Sequence, residues 1–163
     1  MLTALSVIIG IVCKNFFTVA VYYRFTLENL PVIFASVVFG PLTGAAVALA
    51  ADAVSCLLST NPAINPIISA GAAAVGLSAG IVARYIIPRR GIKQYAAAAV
   101  TAHIIGQVII KSIAKYVYFG MPWYGVFIGL ACSAVAVTVE IFIINALLNN
   151  KQIVKYFPEK SDK

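Results

Sequence analysis

The sequence predicts an all-α integral membrane protein, built as a bundle of six transmembrane helices. Of its 163 residues, 62% are hydrophobic and only 10% are charged, whereas soluble domains carry about 25% charged residues. The apolar stretches are long, and a helix needs roughly 20 apolar residues to cross the hydrocarbon core of a bilayer. A transmembrane barrel would instead show short segments of alternating polarity. Composition and segment length together indicate that the lipid bilayer is the solvent of this chain.

Six apolar segments follow one another along the chain. The second, 28–39, is too short for a full crossing, and the stretch FGPLTG after it indicates a tight turn. Two Asn-Pro pairs mark a structured loop at 59–66. The predicted helices are 2–20, 28–39, 42–58, 67–87, 94–117 and 124–148. Residues 1–150 are therefore predicted to form one transmembrane domain, and 151–163 a basic cytoplasmic tail.

The basic residues predict the orientation of the bundle. Eight of the twelve flank the loop after the fourth segment or lie in the tail: Arg84, Arg89, Arg90, Lys93, Lys151, Lys155, Lys160 and Lys163. Both places fall on one side if six segments alternate, and positively charged loops face the cytoplasm. Both termini are then cytoplasmic, and the net charge of +7 reflects topology rather than a nucleic-acid partner. The other four cations, Lys14, Arg24, Lys111 and Lys115, fall toward the outer face and need another explanation.

A polar stripe runs along the fifth segment. His103, Gln107, Lys111 and Lys115 are spaced by four residues, which places them on one side of an α-helix. Such a stripe faces the bundle or water, because exposing it to lipid is costly. One interpretation is structural, with bonds to neighbouring helices and Lys115 reaching the interface. The other, which we favour, is a ligand surface, since the stripe rises toward the outer face where further cations are expected.

Four other features of the sequence bear on the site or on helix packing. Three of them have two alternative interpretations, and Glu140 has one. Asp52 is either the counter-ion of one of these cations or a hydrogen-bond partner of a polar ligand. Asn65, held between two prolines, is either a ligand contact or a turn cap. Glu140 is expected to make a helix–helix contact. The small residues of SAGAAAVGLSAG (69–80) favour close helix packing within the bundle, with a docking face for another membrane subunit as the alternative.

Several kinds of chemistry have no support in the sequence. No G-x-x-x-x-G-K-[ST] motif for nucleotide phosphates is present. His103 has no second His or Cys at metal-ligating spacing, and the three cysteines lie in apolar stretches as expected of small buried side chains. We therefore expect neither an enzyme nor a bound cofactor. A small bundle that has an outward-facing cationic pocket and no nucleotide-binding motif is typical of the binding subunit of a larger complex.

Three stretches of the sequence carry a resemblance to a known family. RFTLENLPVIFASVVFGPLTGAAVALAADAV resembles the substrate-binding S components of energy-coupling-factor (ECF) vitamin transporters, and INPIISAGAAAVGLSAG with HIIGQVIIKSI resembles their folate-specific branch. The resemblance covers roughly residues 2–150. It implies a six-helix bundle in the bacterial cell membrane that captures folate or reduced folates from outside. It also implies partners, a transmembrane coupling subunit and two ATPases. The A-x-x-x-A docking motif of the family is incomplete here, because the residue four positions after Ala4 is Ile8 and not an alanine.

The chemistry of a folate suits the polar residues of the chain. Its glutamate carboxylates suit Lys and Arg, the edge of its pterin suits amides and carboxylates, and the pterin face suits an aromatic ring. The resemblance and these matches together predict the substrate-binding residues Lys14, Arg24, Glu28, Asn29, Asp52, Asn65, His103, Gln107, Lys111 and Trp123. The alternatives are an S component for riboflavin or thiamine, and a self-sufficient secondary carrier.

Overall fold

A computed structural model describes residues 1–16, 18–20, 23–24, 27–58, 66–89, 91–120 and 125–149. Within these ranges the chain is mostly helical, with six helical segments in the predicted order and one short pair of strands. The helices are α1 (Leu2–Phe16), α2 (Leu30–Phe39), α3 (Pro41–Leu57), α4 (Pro66–Ile81), α5 (Ile92–Ala102), α6 (Ser112–Phe119) and α7 (Gly125–Asn149). A π-helical turn, Val82–Ile86, extends α4, and a π-helical stretch, His103–Lys111, joins α5 to α6 in one continuous segment.

The first helix ends earlier than the sequence predicts, at Phe16 instead of residue 20. Thr18–Ala20 (β1) pairs antiparallel with Tyr23–Arg24 (β2). The chain here reads TVAVYYR, and β-branched and aromatic residues favour extended backbone over helix. The prediction of a helix over 2–20 is therefore wrong in its last residues, because local strand preference prevails over the apolar run.

Three segments of the described chain are long and apolar enough to cross a membrane: Pro66–Ile86, Ile92–Ala114 and Gly129–Asn149. The apolar helices Leu2–Cys13, Leu30–Phe39 and Pro41–Leu57 are shorter. Large apolar side chains also face outward, among them Leu42 at 79% and Phe142 at 73% exposure. Water disfavours an extensive apolar surface of this kind, whereas hydrocarbon does not. Length, composition and surface all support a membrane protein.

The short helix α2 lies in the core of the bundle. Every residue from Leu30 to Ser36 is buried, as expected for a helix that is apolar on all sides. The tight turn predicted after it is confirmed, since Gly40 is the single residue between α2 and α3. Its φ of 102° lies in a region that glycine adopts without the steric cost of a Cβ. The turn sends α3 back along α2, where Gly44 lies against Ser36.

Helices α3 and α4 approach each other backbone to backbone. A Cβ on Gly76 would overlap the backbone of Gly44 and Ala45, and a Cβ on Gly80 would overlap Pro41. Small residues permit this approach, as they do in other membrane bundles. The contacts confirm that the glycines of SAGAAAVGLSAG serve packing within the bundle.

The π-helical stretch packs against the other side of α4. Gly106 lies against the side chain of Val75, and Gly71 lies against the side chains of Ile110 and Lys111. The order of these contacts shows that α4 and the α5–α6 segment run antiparallel. A glycine on each helix at this contact brings the two backbones close together.

Candidate substrate-binding site

Because α4 and the α5–α6 segment run antiparallel, their charged residues lie at two opposite ends of the bundle. At one end, α4 gives way to α5, and Gln94 Nε2 donates a hydrogen bond to the Ala83 carbonyl at 2.7 Å. This end, called the Arg84 end here, carries Arg84, Arg89 and Lys93. The opposite end, called the Lys111 end, carries Glu28, Asn29, Asp52, Ser69 and Lys111. The basic loop and the candidate site residues are therefore separated along the length of the helices.

Glu28 and Lys111 form the central pair of the Lys111 end. Lys111 Nζ lies 3.8 Å from Glu28 Oε1, and the two side chains are 13% and 23% exposed. The distance is too long for a hydrogen bond, and an ammonium group has three donors to offer. The pair brings together two residues that are 83 positions apart and that the sequence analysis assigns to the substrate site. It leaves donors on Lys111 for a further anion.

Small residues form the walls around this pair. A Cβ on Gly10 of α1 would lie 3.0 Å from Glu28 Oε2, and one on Gly71 would lie 3.1 Å from Lys111 Cγ. Ser6 Oγ donates to the Glu28 carbonyl oxygen at 2.6 Å. Glu28 is thus held against α1 by its backbone, and Lys111 is held against α4 by its methylene chain.

Asn29 follows Glu28 in the chain, and part of the hydrogen-bonding capacity of its amide is unused among the described residues. The residue is 5% exposed, and its Nδ2 has no hydrogen-bond partner among the described residues. Most buried polar side-chain atoms in proteins are paired, and an unpaired one costs about 1–3 kcal/mol. Asn29 Nδ2, in the residue that follows Glu28, is therefore a donor that a ligand group could use.

Asp52 has a partner other than a cation in the described structure. Ser69 Oγ donates to Asp52 Oδ2 at 2.6 Å, from α4 to α3. Ser69 is two residues from Gly71, so the Asp52–Ser69 bond and the Lys111 contact lie at one level on different faces of α4. Of the two alternatives for Asp52, the counter-ion role is not observed with Lys111, which pairs with Glu28. The side chains of the other three outer cations, Lys14, Arg24 and Lys115, lie outside the described part of the structure.

His103 and Glu140 form a second polar pair, buried between the π-helical stretch and α7. The distance between His103 Nε2 and Glu140 Oε2 is 2.7 Å, and the side chains are 3% and 0% exposed. The helix–helix contact predicted for Glu140 is confirmed. His103, predicted to bind substrate, points to α7, and its Nδ1 has no partner among the described residues.

The polar stripe lies on a different kind of helix from the one that its four-residue spacing assumes. His103–Lys111 is π-helical, with i→i+5 hydrogen bonds, a geometry frequent at functional sites. The prediction of regular α-helix over 94–117 is therefore wrong in this stretch. His103 and Lys111 do face the interior, as predicted, but they contact carboxylates on two different elements.

The remaining predicted residues lie outside the part of the chain that the structure describes. This holds for Asn65 and Trp123, and for the side chains of Lys14, Arg24 and Gln107. Within the described ranges, no three His, Cys, Asp or Glu side chains come together as a metal site would require.

Sequence reasoning missed the residues that hold the site. Ser6 and Ser69 are the described hydrogen-bond partners of Glu28 and Asp52, and Gly10 and Gly71 make room for Glu28 and Lys111. The small-residue pattern around 69–80 was a usable signal for Gly71, since it marks close approach. The serines carry no such signal, because their partners depend on how the helices pack. Comparison with protein-family models and with curated proteins finds no match to the chain.

Proposed function

We propose that this protein is the substrate-binding S component of an ECF transporter, and that its substrate is a folate. It captures folate from outside the cell for ATP-driven uptake by a transmembrane coupling subunit and two ATPase subunits. The three sequence stretches that resemble the folate branch support this proposal, as does the helical, apolar character of the chain.

The observation that carries the proposal is the unfilled donor capacity at the Lys111 end. Asn29 Nδ2 is buried without a partner among the described residues, and the residue before it, Glu28, lies 3.8 Å from Lys111 Nζ. An apolar bundle that buries an amide and an ammonium in this state favours a polar, anionic ligand. A folate offers both a hydrogen-bonding pterin and two carboxylates.

The predicted binding residues are assigned to different parts of the ligand according to their chemistry. Lys111 takes a glutamate carboxylate, with Arg24 and Lys14 as the further cations of the outer face. Asn29, with Asp52 or Asn65, hydrogen-bonds the pterin edge. Trp123 supplies an aromatic ring for the pterin face.

The membrane arrangement follows from the same proposal. The six helical segments form six spans in the bacterial cell membrane, with shorter members accommodated by the bundle around them. The Arg84 end faces the cytoplasm with both termini, in keeping with the positive-inside rule. The Lys111 end then faces outward, where folate is captured.

Folate binding by the purified chain tests the proposal. Calorimetry should show one folate per chain, and mass spectrometry of the co-purified ligand should identify a folate. A preference for riboflavin or thiamine would select the other S-component alternative. Transport by the chain alone in liposomes would favour a secondary carrier. A folded protein that binds no folate contradicts the proposal.

Asn29→Ala separates the ligand role of the amide from a structural one. Removing a buried donor that has no described partner should leave the thermal midpoint unchanged or raise it. Folate affinity should fall about tenfold, the loss of one hydrogen bond of about 1.4 kcal/mol. Asn145→Ala on α7 is the matched control, since that amide accepts from Asn149 far from the site. Unchanged affinity in Asn29→Ala would remove the amide from the site.

A further inference from the structure

The π-helical stretch is held by an acidic partner at each of its ends. Its first residue, His103, contacts Glu140 on α7 at 2.7 Å, and its last residue, Lys111, contacts Glu28 at 3.8 Å. Between them, Gly106 fixes the distance to α4. The angular position of Lys111 around the helix axis therefore depends on the helical winding of the eight residues that follow His103.

The His103–Glu140 pair is a poor device for stability alone. Both side chains are removed from water, and the desolvation cost of such a pair often exceeds its attraction. His103 Nδ1 and Glu140 Oε1 also have no partner among the described residues, so the network is only partly satisfied. Ionisable residues inside a membrane bundle are rare and usually functional. The contact therefore calls for a role beyond packing.

We propose that the His103–Glu140 pair is a positioning pair for the anion site. By fixing the start of the π-helical stretch on α7, it sets the winding that brings Lys111 against Glu28 and Gly71. It touches no ligand. The role of the pair in ligand affinity rests on the function proposed above, whereas its effect on Lys111 does not.

The double substitution His103→Leu with Glu140→Leu tests the positioning role. Replacing both members by apolar residues of similar size removes the contact without leaving a buried charge, and such replacements are often neutral or stabilising. In ligand-free protein, acetylation of Lys111 should become several-fold faster, because its amine loses its contact with Glu28 and becomes more accessible to the reagent. Exposed Lys93 serves as the internal reference, and Thr138→Leu, at an exposed position on α7, as the control variant.

Ligand binding gives the second readout. Folate should bind the double variant about tenfold more weakly, within the range by which positions remote from a ligand alter binding. A folate whose two glutamate carboxylates are converted to amides should bind both proteins equally. Glu140→Gln keeps a hydrogen-bond partner for His103 and should keep near-wild-type affinity and labelling.

The outcomes separate the two proposals. Unchanged labelling of Lys111 in a folded double variant, or equal loss of affinity for both ligands, overturns the positioning role. A wild-type protein that binds no folate overturns the proposed function, while the labelling result still decides the positioning role. If the double variant does not fold, His103→Ala with Glu140→Gln also removes the contact without a buried charge, and the same labelling criterion applies.

Discussion

Lys111 is the residue on which the proposed anion site depends most directly. Its Nζ lies 3.8 Å from Glu28 at an exposure of 13%, so a carboxylate bound there is partly removed from water. Removing the desolvated partner of a bound charge costs about 2–5 kcal/mol, or roughly 30-fold or more in dissociation constant. We expect Lys111→Ala to weaken folate by this amount in calorimetry, and Arg24→Ala to act in the same direction.

Lys115 provides the matched control on the same segment. It lies four residues further along the chain, in α6, and the sequence predicts that it reaches the headgroup region. Lys115→Ala should weaken folate only several-fold. The diamide analogue should bind wild type and Lys111→Ala alike, because it carries no charge for the lysine to hold. If Lys111→Ala and Arg24→Ala are both neutral in folded protein, the anion site lies elsewhere and the polar stripe is structural.

For individual residues, the sequence identifies candidate site residues better than it identifies their hydrogen-bond and ion-pair partners. The cations outside the basic loops identified Lys111, and the charged stretch before α2 identified Glu28; the structure pairs them. The sequence could not pair Asp52 with Ser69 or Glu28 with Ser6, because those bonds depend on the packing of helices distant in sequence. A hydroxyl that bonds across two helices looks, in one sequence, like any other serine.

The helical elements follow the apolar pattern closely, and the departures have local causes. The turn at Gly40 was predictable because a glycine followed by a proline interrupts the apolar run. The early end of α1 at Phe16 reflects the strand preference of the next residues. The π-helical winding of His103–Lys111 was not predictable, since hydrophobic periodicity does not separate it from α-helix, and its contacts at Glu140, Glu28 and α4 come from the tertiary structure.

The contact between α3 and α4 is the element most sensitive to one methyl group. A Cβ on Gly76 would lie 2.5 Å from the backbone nitrogen of Ala45, and backbone cannot move aside as a side chain can. We expect Gly76→Ala to destabilise the protein by about 1–3 kcal/mol, the usual cost of overpacking. The measurement is the thermal midpoint in detergent.

Gly91→Ala is the matched control for this substitution. A Cβ at Gly91 meets no described residue within 4 Å, and its φ of 162° is extended backbone that other residues also adopt. The control should leave the thermal midpoint almost unchanged. Equal midpoints for Gly76→Ala and wild type would show that α3 and α4 separate readily, against the close packing described above.

The whole molecule is polarised along its helices. The Arg84 end carries basic residues that suit the cytoplasmic side, and the Lys111 end carries the amide, carboxylates and ammonium of the candidate site. The apolar surface between them, with Leu42 and Phe142 exposed, suits lipid. If the Lys111 end faces outward as proposed, the Arg84 end is cytoplasmic by the same orientation, and one labelling experiment tests both.

Sidedness is measured with single cysteines introduced at two positions of a variant in which Cys13, Cys56 and Cys132 are replaced by alanine. Asn61 belongs to the sequence 59–66 that is predicted to face outside, and Lys155 belongs to the predicted basic tail. In intact cells, a membrane-impermeant thiol reagent should label the first and leave the second unlabelled, because the positively charged tail stays inside. Permeabilised cells supply the control, since both positions should then react. Labelling of both from outside, or of the tail alone, would reverse the orientation and place the candidate site away from extracellular folate.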